Sequence, residues 1–321
     1  MALRWPRRRV LVLSVALELV AVWWLLCALS GGQIDAITYL AAGERLNAGH
    51  ALYSLVPGDR LLNVDSPYFH TPLLYPPLIA VIWRPLAALP AMLGLLLWFA
   101  AASAAIFGAI WYVARDLRNG ALVALIICAA GIGSQLSGAN VNAFVILAAL
   151  LLWGQSDRHP WVGAFIGILV AVKLSPVVFV VWLVGQRRWN ALAWAAVGLI
   201  AGIVVGVLVV GYDANLQAID ILRSATPQNL TATGITGISW ATMAVDAVGA
   251  LSVLLLARWP AASFRAAALT IILGAPAVSL LTAAFGLLLV PPPRKREASA
   301  AAQPIASADQ APDRAPVGLP T

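Results

Sequence analysis

Residues 31–53 read GGQIDAITYLAAGERLNAGHALY and place Asp35, Tyr39, Glu44, His50 and Tyr53 directly after a long apolar run. A carboxylate just outside such a run lies at a lipid–water boundary. Partial desolvation there raises its pKa toward the range useful to a general base. Tyr39, four residues on, shares the helical face of Asp35. His50, Tyr53, Asp65, Tyr68, His70 and Tyr75 follow within one stretch, which also holds two of the three histidines. A polar helix cap explains Asp35 as well as a base does. An interfacial anchor explains a boundary tyrosine more often than a ligand does.

Lys173 is the second group that can do chemistry. It sits in the middle of the apolar window WVGAFIGILVAVKLSPVVFVVWLVGQRR, beyond the snorkelling reach of either end. An ionisable group at that depth is costly and marks a functional site by default. No carboxylate lies in its helix turn, so the anion it implies is a lipid phosphate. Ser134, Gln135, Asn140 and Asn142 form a polar patch between two apolar runs, suited to helix–helix hydrogen bonds or to a ligand. In a second polar segment, 212–237, Asp213, Gln228 and Asn229 are placed to meet a polar substrate, and Asn229-Leu230-Thr231 matches a glycosylation sequon. Gly163-x-x-x-Gly167 and Gly202-x-x-x-Gly206 read as close-packing motifs. The absence of Walker, HExxH, GxSxG and CxxC patterns disfavours an ATP-driven pump, a zincin or a hydrolase of those families.

The elements that must hold these groups are apolar helices. The chain of 321 residues is 62% hydrophobic and only 10% charged, against roughly 25% charged in soluble domains. Several windows reach the ~20 residues that cross a bilayer, so the fold class is all-α and polytopic. Basic residues cluster at the ends of apolar runs, as cytoplasmic loops require, which argues against a nucleic-acid partner. The N-terminal run to about residue 29 reads as a retained signal anchor with its N-terminus in the cytoplasm. Cys27 and Cys128 lie in apolar segments and suggest neither a disulfide framework nor a metal site.

The first polar loop, 31–72, is expected to carry a short helix along the membrane surface, with an apolar stripe of Ile34, Ile37, Leu40, Ala41 and Leu46 and a stop at Gly49. Pro76-Pro77 suits a first helical turn. Pro85 and Pro90 break the next apolar segment into two spans near Leu89-Pro90. Further windows cover about 121–153, 161–185, 190–211, 240–257 and 266–290, for eight or nine apolar elements in a domain of residues 1–290. The 161–185 window has basic clusters at both ends: one span would separate them, and two half-helices meeting at Lys173–Pro176 would keep them together. The tail 291–321 is rich in Pro, Ala and charge and is expected to be disordered and cytoplasmic.

Asp35-x-x-x-Tyr39, Gly49 with Tyr53, Tyr75-Pro-Pro-Leu, Pro85-Leu-Ala-x-Leu-Pro90 and Lys173-Leu-Ser-Pro176 with Arg187-Arg188-Trp189 together resemble glycosyltransferase family 87. The resemblance covers about residues 10 to 240. These are GT-C-type membrane enzymes of actinobacterial envelopes that use polyprenyl-phosphate-linked sugars. It implies a multi-pass plasma-membrane enzyme with an extracytoplasmic active site, transferring mannose or arabinofuranose to a glycolipid or polysaccharide acceptor. Asp35 is then the base and Lys173 the contact to the donor phosphate, with no metal required. Tyr39, His50, Tyr53, His70, Tyr75, Asn140, Asn142, Gln228 and Asn229 are the candidate substrate contacts. The chain departs from the family in showing Ala139-Asn140-Val141-Asn142 where Gly-Gln-x-Asn is usual, and Gln228-Asn229 for a later Asn-Gln-Ser. It also stops sooner than members commonly do, which leaves a non-catalytic scaffold open. A lipid-linked-sugar transporter is the other alternative, and would call for inverted repeats with matched broken helices. The sequence has one interrupted helix and no matching half.

Overall fold

The computed structural model describes residues 34–53, 73, 75–114, 128, 131–133, 135–136, 138–224, 240–274 and 284–290. The first apolar run, Cys27, Asp65, Tyr68, His70, Ser134, Gln228, Asn229 and the tail from Pro291 lie outside them. The chain divides into Met1–Pro291 and Pro292–Thr321, and the second unit lies outside the described residues altogether. Among the described residues the secondary structure is helical, with no strand. The helices are α1 (Ile34–Asn47), α2 (Leu78–Ala87), α3 (Ala91–Ala114), α4 (Asn142–Gln155) and α5 (Val162–Val172). They continue with α6 (Val177–Gly185), α7 (Trp189–Val210), α8 (Tyr212–Ser224), α9 (Ala241–Leu255) and α10 (Pro260–Leu273), and a 3-10 segment spans Ala284–Leu289. Two of them, Ala91–Val113 and Trp189–Val210, are long and apolar enough to cross a membrane.

Helix α1 stops where Gly49 permits it. Gly49 has φ +72, its N–H donates to the Leu46 carbonyl, and the His50 N–H donates to the Arg45 carbonyl. That pair of bonds is the Schellman closure, which needs a left-handed residue. The expected apolar stripe coincides only in part, at Leu40, with the face that packs. Ala36, Thr38, Tyr39, Leu40, Ala42 and Arg45 are buried, whereas Ile37, Ala41 and Leu46 are only half-buried. The reason is close approach: a Cβ on Gly43 would fall 2.9 Å from both the Trp83 carbonyl oxygen and the Ala87 Cβ of α2. Small residues therefore face the neighbour, and the larger ones are left at the rim. Pro85 lies inside α2 without breaking it, because the helix ends two residues later and little ladder is lost. The break itself falls at Pro90, and the 10 residues of α2 span about 15 Å, too short to cross. The segment after Gly211, read from sequence as a polar loop, begins with α8.

The window around Lys173 is resolved as two half-helices. Helix α5 ends at Val172 with Lys173 extended (φ −153, ψ 125), and α6 begins after Pro176. The hairpin returns the chain to the end it started from. Arg188 after α6 pairs with Asp157 before α5 at 2.9 Å, so both basic clusters lie at one end of the bundle. The motif glycines fix α5 against α7. A Cβ on Gly163 or Gly167 would overlap the Ala191 or Ala195 carbonyl, and one on Gly198 would overlap Ala164. Gly202 faces Ala171 and Leu78, so the Lys173 end of α5 lies about 12 Å short of the Val210 end of α7.

Candidate active site

Four separated pieces of chain converge at that recessed level. Tyr75 precedes α2, Asn140 and Asn142 begin α4, Lys173 ends α5, and Asp35 opens α1. Lys173 Nζ donates to Asn142 Oδ1 at 2.8 Å and lies 5.7 Å from the Tyr75 ring centroid. Asn140 Nδ2 donates to the Tyr75 hydroxyl at 3.0 Å, and Asn140 Oδ1 accepts from the Asn142 backbone N–H at 2.8 Å. The half-buried Asp35 carboxylate faces the Asn140 amide and the Tyr75 hydroxyl and lies within the field of Lys173. Burial raises its pKa above the ordinary 3.8 and outweighs the opposing Asn140 amide, Lys173 charge and Tyr75 hydroxyl. The phenols of Tyr75, Tyr39 and Tyr53 are likewise pushed up, in each case chiefly by burial. They are therefore neutral donors at physiological pH.

Lys173 has a protein carboxylate within electrostatic reach. No acid lies in its own helix turn, but tertiary packing brings Asp35 from the far end of the chain. The two do not close an ion pair: among the described residues the ion pair within 4 Å is Arg188–Asp157. Asn140 and Tyr75 neighbour the carboxylate, and Asn142 holds the ammonium.

Tyr39 is fully buried beneath the cluster, edge-on to Tyr75 at 5.1 Å and to Trp98 at 5.9 Å. Its hydroxyl lies beside Tyr75 and Val141 without closing a hydrogen bond to either. The Tyr53 hydroxyl donates to the Tyr75 carbonyl at 2.7 Å, so it supports the site from behind. His50 is exposed at the far end of α1, about 20 Å along the chain axis from Asp35, and the structure does not bring it to the cluster. Asp213 is exposed in the first turn of α8. His70, Gln228 and Asn229 lie outside the described residues.

Three contributors went unread in the sequence. Ala139 adopts φ +46, a conformation that costs a non-glycine residue about 1–2 kcal/mol. Its carbonyl accepts a 2.7 Å hydrogen bond from the Trp98 indole, which helps hold the strained turn that presents Asn140. Strain of this kind persists where the surroundings over-determine it, and gathers at functional sites. Ser175, two residues beyond Lys173, has a buried hydroxyl with no hydrogen-bond partner. Only the family pattern Gly-Gln-x-Asn hinted at the first, since its glycine is the residue that tolerates positive φ.

The profile of glycosyltransferase family 87 matches residues 73–303. That stretch contains Tyr75, Asn140, Asn142 and Lys173 and begins after Asp35. A polyprenol-phosphate-mannose-dependent alpha-(1-2)-phosphatidylinositol pentamannoside mannosyltransferase of Mycobacterium tuberculosis is 31% identical over 226 residues, 67% of this chain and 50% of that protein. Its namesake from Mycolicibacterium smegmatis is 29% identical over 223 residues, 67% of this chain and 52% of its own. The chain thus spans about half the length of the curated relatives it matches. No solved structure matches. With the matched stretch covering well over half of its length, the chain belongs to glycosyltransferase family 87.

Proposed function

We propose that the chain is a membrane glycosyltransferase that moves mannose from a polyprenyl-phosphate donor onto an envelope glycolipid or polysaccharide, with Asp35 as general base. The observation that carries this reading is the meeting of a carboxylate and an ammonium, with amides and a phenol beside them, inside a largely apolar bundle. Asp35 removes the proton from an acceptor hydroxyl as its oxygen attacks the anomeric carbon. The bond from that carbon to the phosphate oxygen breaks, and polyprenyl phosphate leaves with the electron pair. Lys173 stabilises the negative charge on the departing phosphate, and Asn142 holds its ammonium in place. The raised pKa of Asp35 improves it as a base, because Brønsted behaviour rewards a pKa nearer the working pH. The names of the two mycobacterial relatives favour mannose over arabinofuranose.

The same reading sets the orientation. The Arg-rich turns at the end away from Lys173 face the cytoplasm by the positive-inside rule, and the Asp35 end faces outward. The chain is then multi-pass through residues 1–290, with eight or nine apolar elements and a cytoplasmic tail. The test is transfer from labelled polyprenyl-phosphate mannose to a glycolipid acceptor in membranes carrying the full chain. Transfer that is lost in Asp35→Asn at unchanged expression supports the reading. Transfer equal to wild type in that variant removes Asp35 as the base. A wild type that transfers no sugar from any polyprenyl donor turns the balance to a scaffold or a transporter.

A further inference from the structure

Among the described residues, the end of the bundle away from Lys173 carries three short turns, each with an exposed arginine and an exposed tryptophan. The turn between α4 and α5 carries Arg158 and Trp161. Arg187 follows α6 and Trp189 opens α7, and between α9 and α10 lie Arg258 and Trp259. Two cross-turn bonds join them into one surface. Arg188 pairs with Asp157, one residue from Arg158 and one from Arg187. Gln186 Nε2 donates to the Ala257 carbonyl at 3.0 Å, again one residue from Arg187 and one from Arg258. The three tryptophans are 50%, 58% and 49% exposed. The turns hold four arginines against one aspartate, and that aspartate is already taken by Arg188.

We propose that this surface is a docking site for anionic phospholipid headgroups, with Arg158, Arg187 and Arg258 contacting headgroup phosphates and Trp161, Trp189 and Trp259 entering the adjoining headgroup layer. Tryptophan prefers that layer because its ring is apolar and its N–H is not, and arginine binds phosphate through a planar two-pronged fork. Arg188 shows how an arginine of purely structural use looks in this fold. Its side chain is 8% exposed, paired with Asp157, bonded to Ser156 and set over the Trp182 ring at 4.9 Å. The other three are exposed, and none of them forms an ion pair within 4 Å among the described residues. The Arg258 guanidinium is held 3.7 Å from the centroid of its neighbour Trp259, which couples the two groups. Arg187 carries a second mark. It occupies φ +54 at the close of α6, with its N–H donating to the Val184 carbonyl and the Arg188 N–H to the Leu183 carbonyl. That is the position of Gly49 in α1, where glycine removes the strain. An arginine kept in a glycine's conformation, with its head in solvent, is explained by what the head binds.

The experiment reconstitutes the full chain in bilayers of equal phosphatidylglycerol and phosphatidylcholine and counts retained lipids by native mass spectrometry. Each arginine near an anionic surface is worth roughly a fivefold preference. Wild type is expected to retain phosphatidylglycerol at least tenfold over phosphatidylcholine. The triple variant Arg158→Gln/Arg187→Gln/Arg258→Gln is expected to bring the ratio near one, while Arg84→Gln, a charge removed elsewhere, leaves it unchanged. Should the triple variant fail to fold, Arg187→Gly decides the matter, because it relieves strain: a roughly fivefold fall in the ratio with unfolding temperature kept or raised supports the site. Equal retention of the two lipids by wild type, a wild-type ratio in the triple variant or in Arg187→Gly, or an equal fall in Arg84→Gln overturns it.

Discussion

The two ends of the bundle each place a cation near a carboxylate, and they use the pairing in opposite ways. At one end Arg188 meets Asp157 directly at 2.9 Å and also takes Ser156 and the face of Trp182. Arg188 is satisfied within the protein, and the result is a clasp between two turns. At the other end Lys173 and Asp35 stay apart, each attended by neutral partners, with Asn142 on one side and Asn140 and Tyr75 on the other. Charges left short of contact in a low-dielectric setting cost stability. On the proposed reading, the protein bears this cost at one end because the separated charges serve a substrate. The difference separates a closed structural pair from the pair to which the proposed mechanism assigns the chemistry.

The largest expected effect tests the reactive end. Asp35→Asn keeps the shape and the Asn140 and Tyr75 neighbours but removes the base, so transfer should fall by about 10²–10⁴ while thermal unfolding in detergent stays near wild type. Lys173→Met should lower donor kcat/KM by about 10² and leave unfolding within about 1 kcal/mol of wild type, because the lost Asn142 bond is offset by relief of a buried charge. Arg188→Met should do the reverse, destabilising the fold by about 2 kcal/mol through its lost hydrogen bonds and stacking with transfer per folded molecule unchanged. If Lys173→Met unfolds the protein and retains turnover, the contrast between the ends collapses.

The pH dependence sharpens the same contrast. Asp35 binds its proton more tightly folded than unfolded, since burial raises its pKa above 3.8. The native state therefore holds the extra proton, and the Asp35 contribution to stability is present in acid and is lost as pH rises through the folded pKa. Activity runs the other way, because only the ionised form is a base, so transfer should rise with pH over that window. A plot of kcat/KM against pH should show an acid limb displaced above 3.8, and Asp35→Asn should remove both that limb and the opposing slope in stability. An acid limb that survives in Asp35→Asn would assign it to another group.

Much of this arrangement was legible in the sequence where cost is local. A lysine deep in an apolar window is expensive wherever its partners lie, so Lys173 declared itself, and the pattern Asp35-x-x-x-Tyr39 outside a run did the same. Gly49 and the glycines at 163 and 167 announced a helix stop and a close crossing, because glycine's uses are few. What could not be read is what depends on packing across the fold. The approach of Asp35 to Lys173 is set by α1 against α2 and α5 against α7, and no spacing within either segment encodes it. His50 and Tyr53 are near neighbours in sequence, yet the turn after α1 sends one to solvent and the other to Tyr75. The positive φ of Ala139 and Arg187 was hidden because neither residue type advertises it.

Arg187 supplies the smallest and sharpest comparison, this time between two helix ends. Helices α1 and α6 close with the same pair of backbone bonds, one through Gly49 at φ +72 and the other through Arg187 at φ +54. The left-handed region costs a residue with a Cβ about 1 kcal/mol that glycine escapes. Glycine's greater freedom in the unfolded chain takes back part of that gain, so Arg187→Gly should raise stability by a fraction of a kcal/mol, read as a small increase in unfolding temperature. Gly49→Ala should lower it by about the same strain cost, since open space around its Cβ leaves conformation as the difference. Equal destabilisation by both substitutions would mean that the Arg187 side chain holds the turn together, and its strained backbone would then be explained by the fold alone.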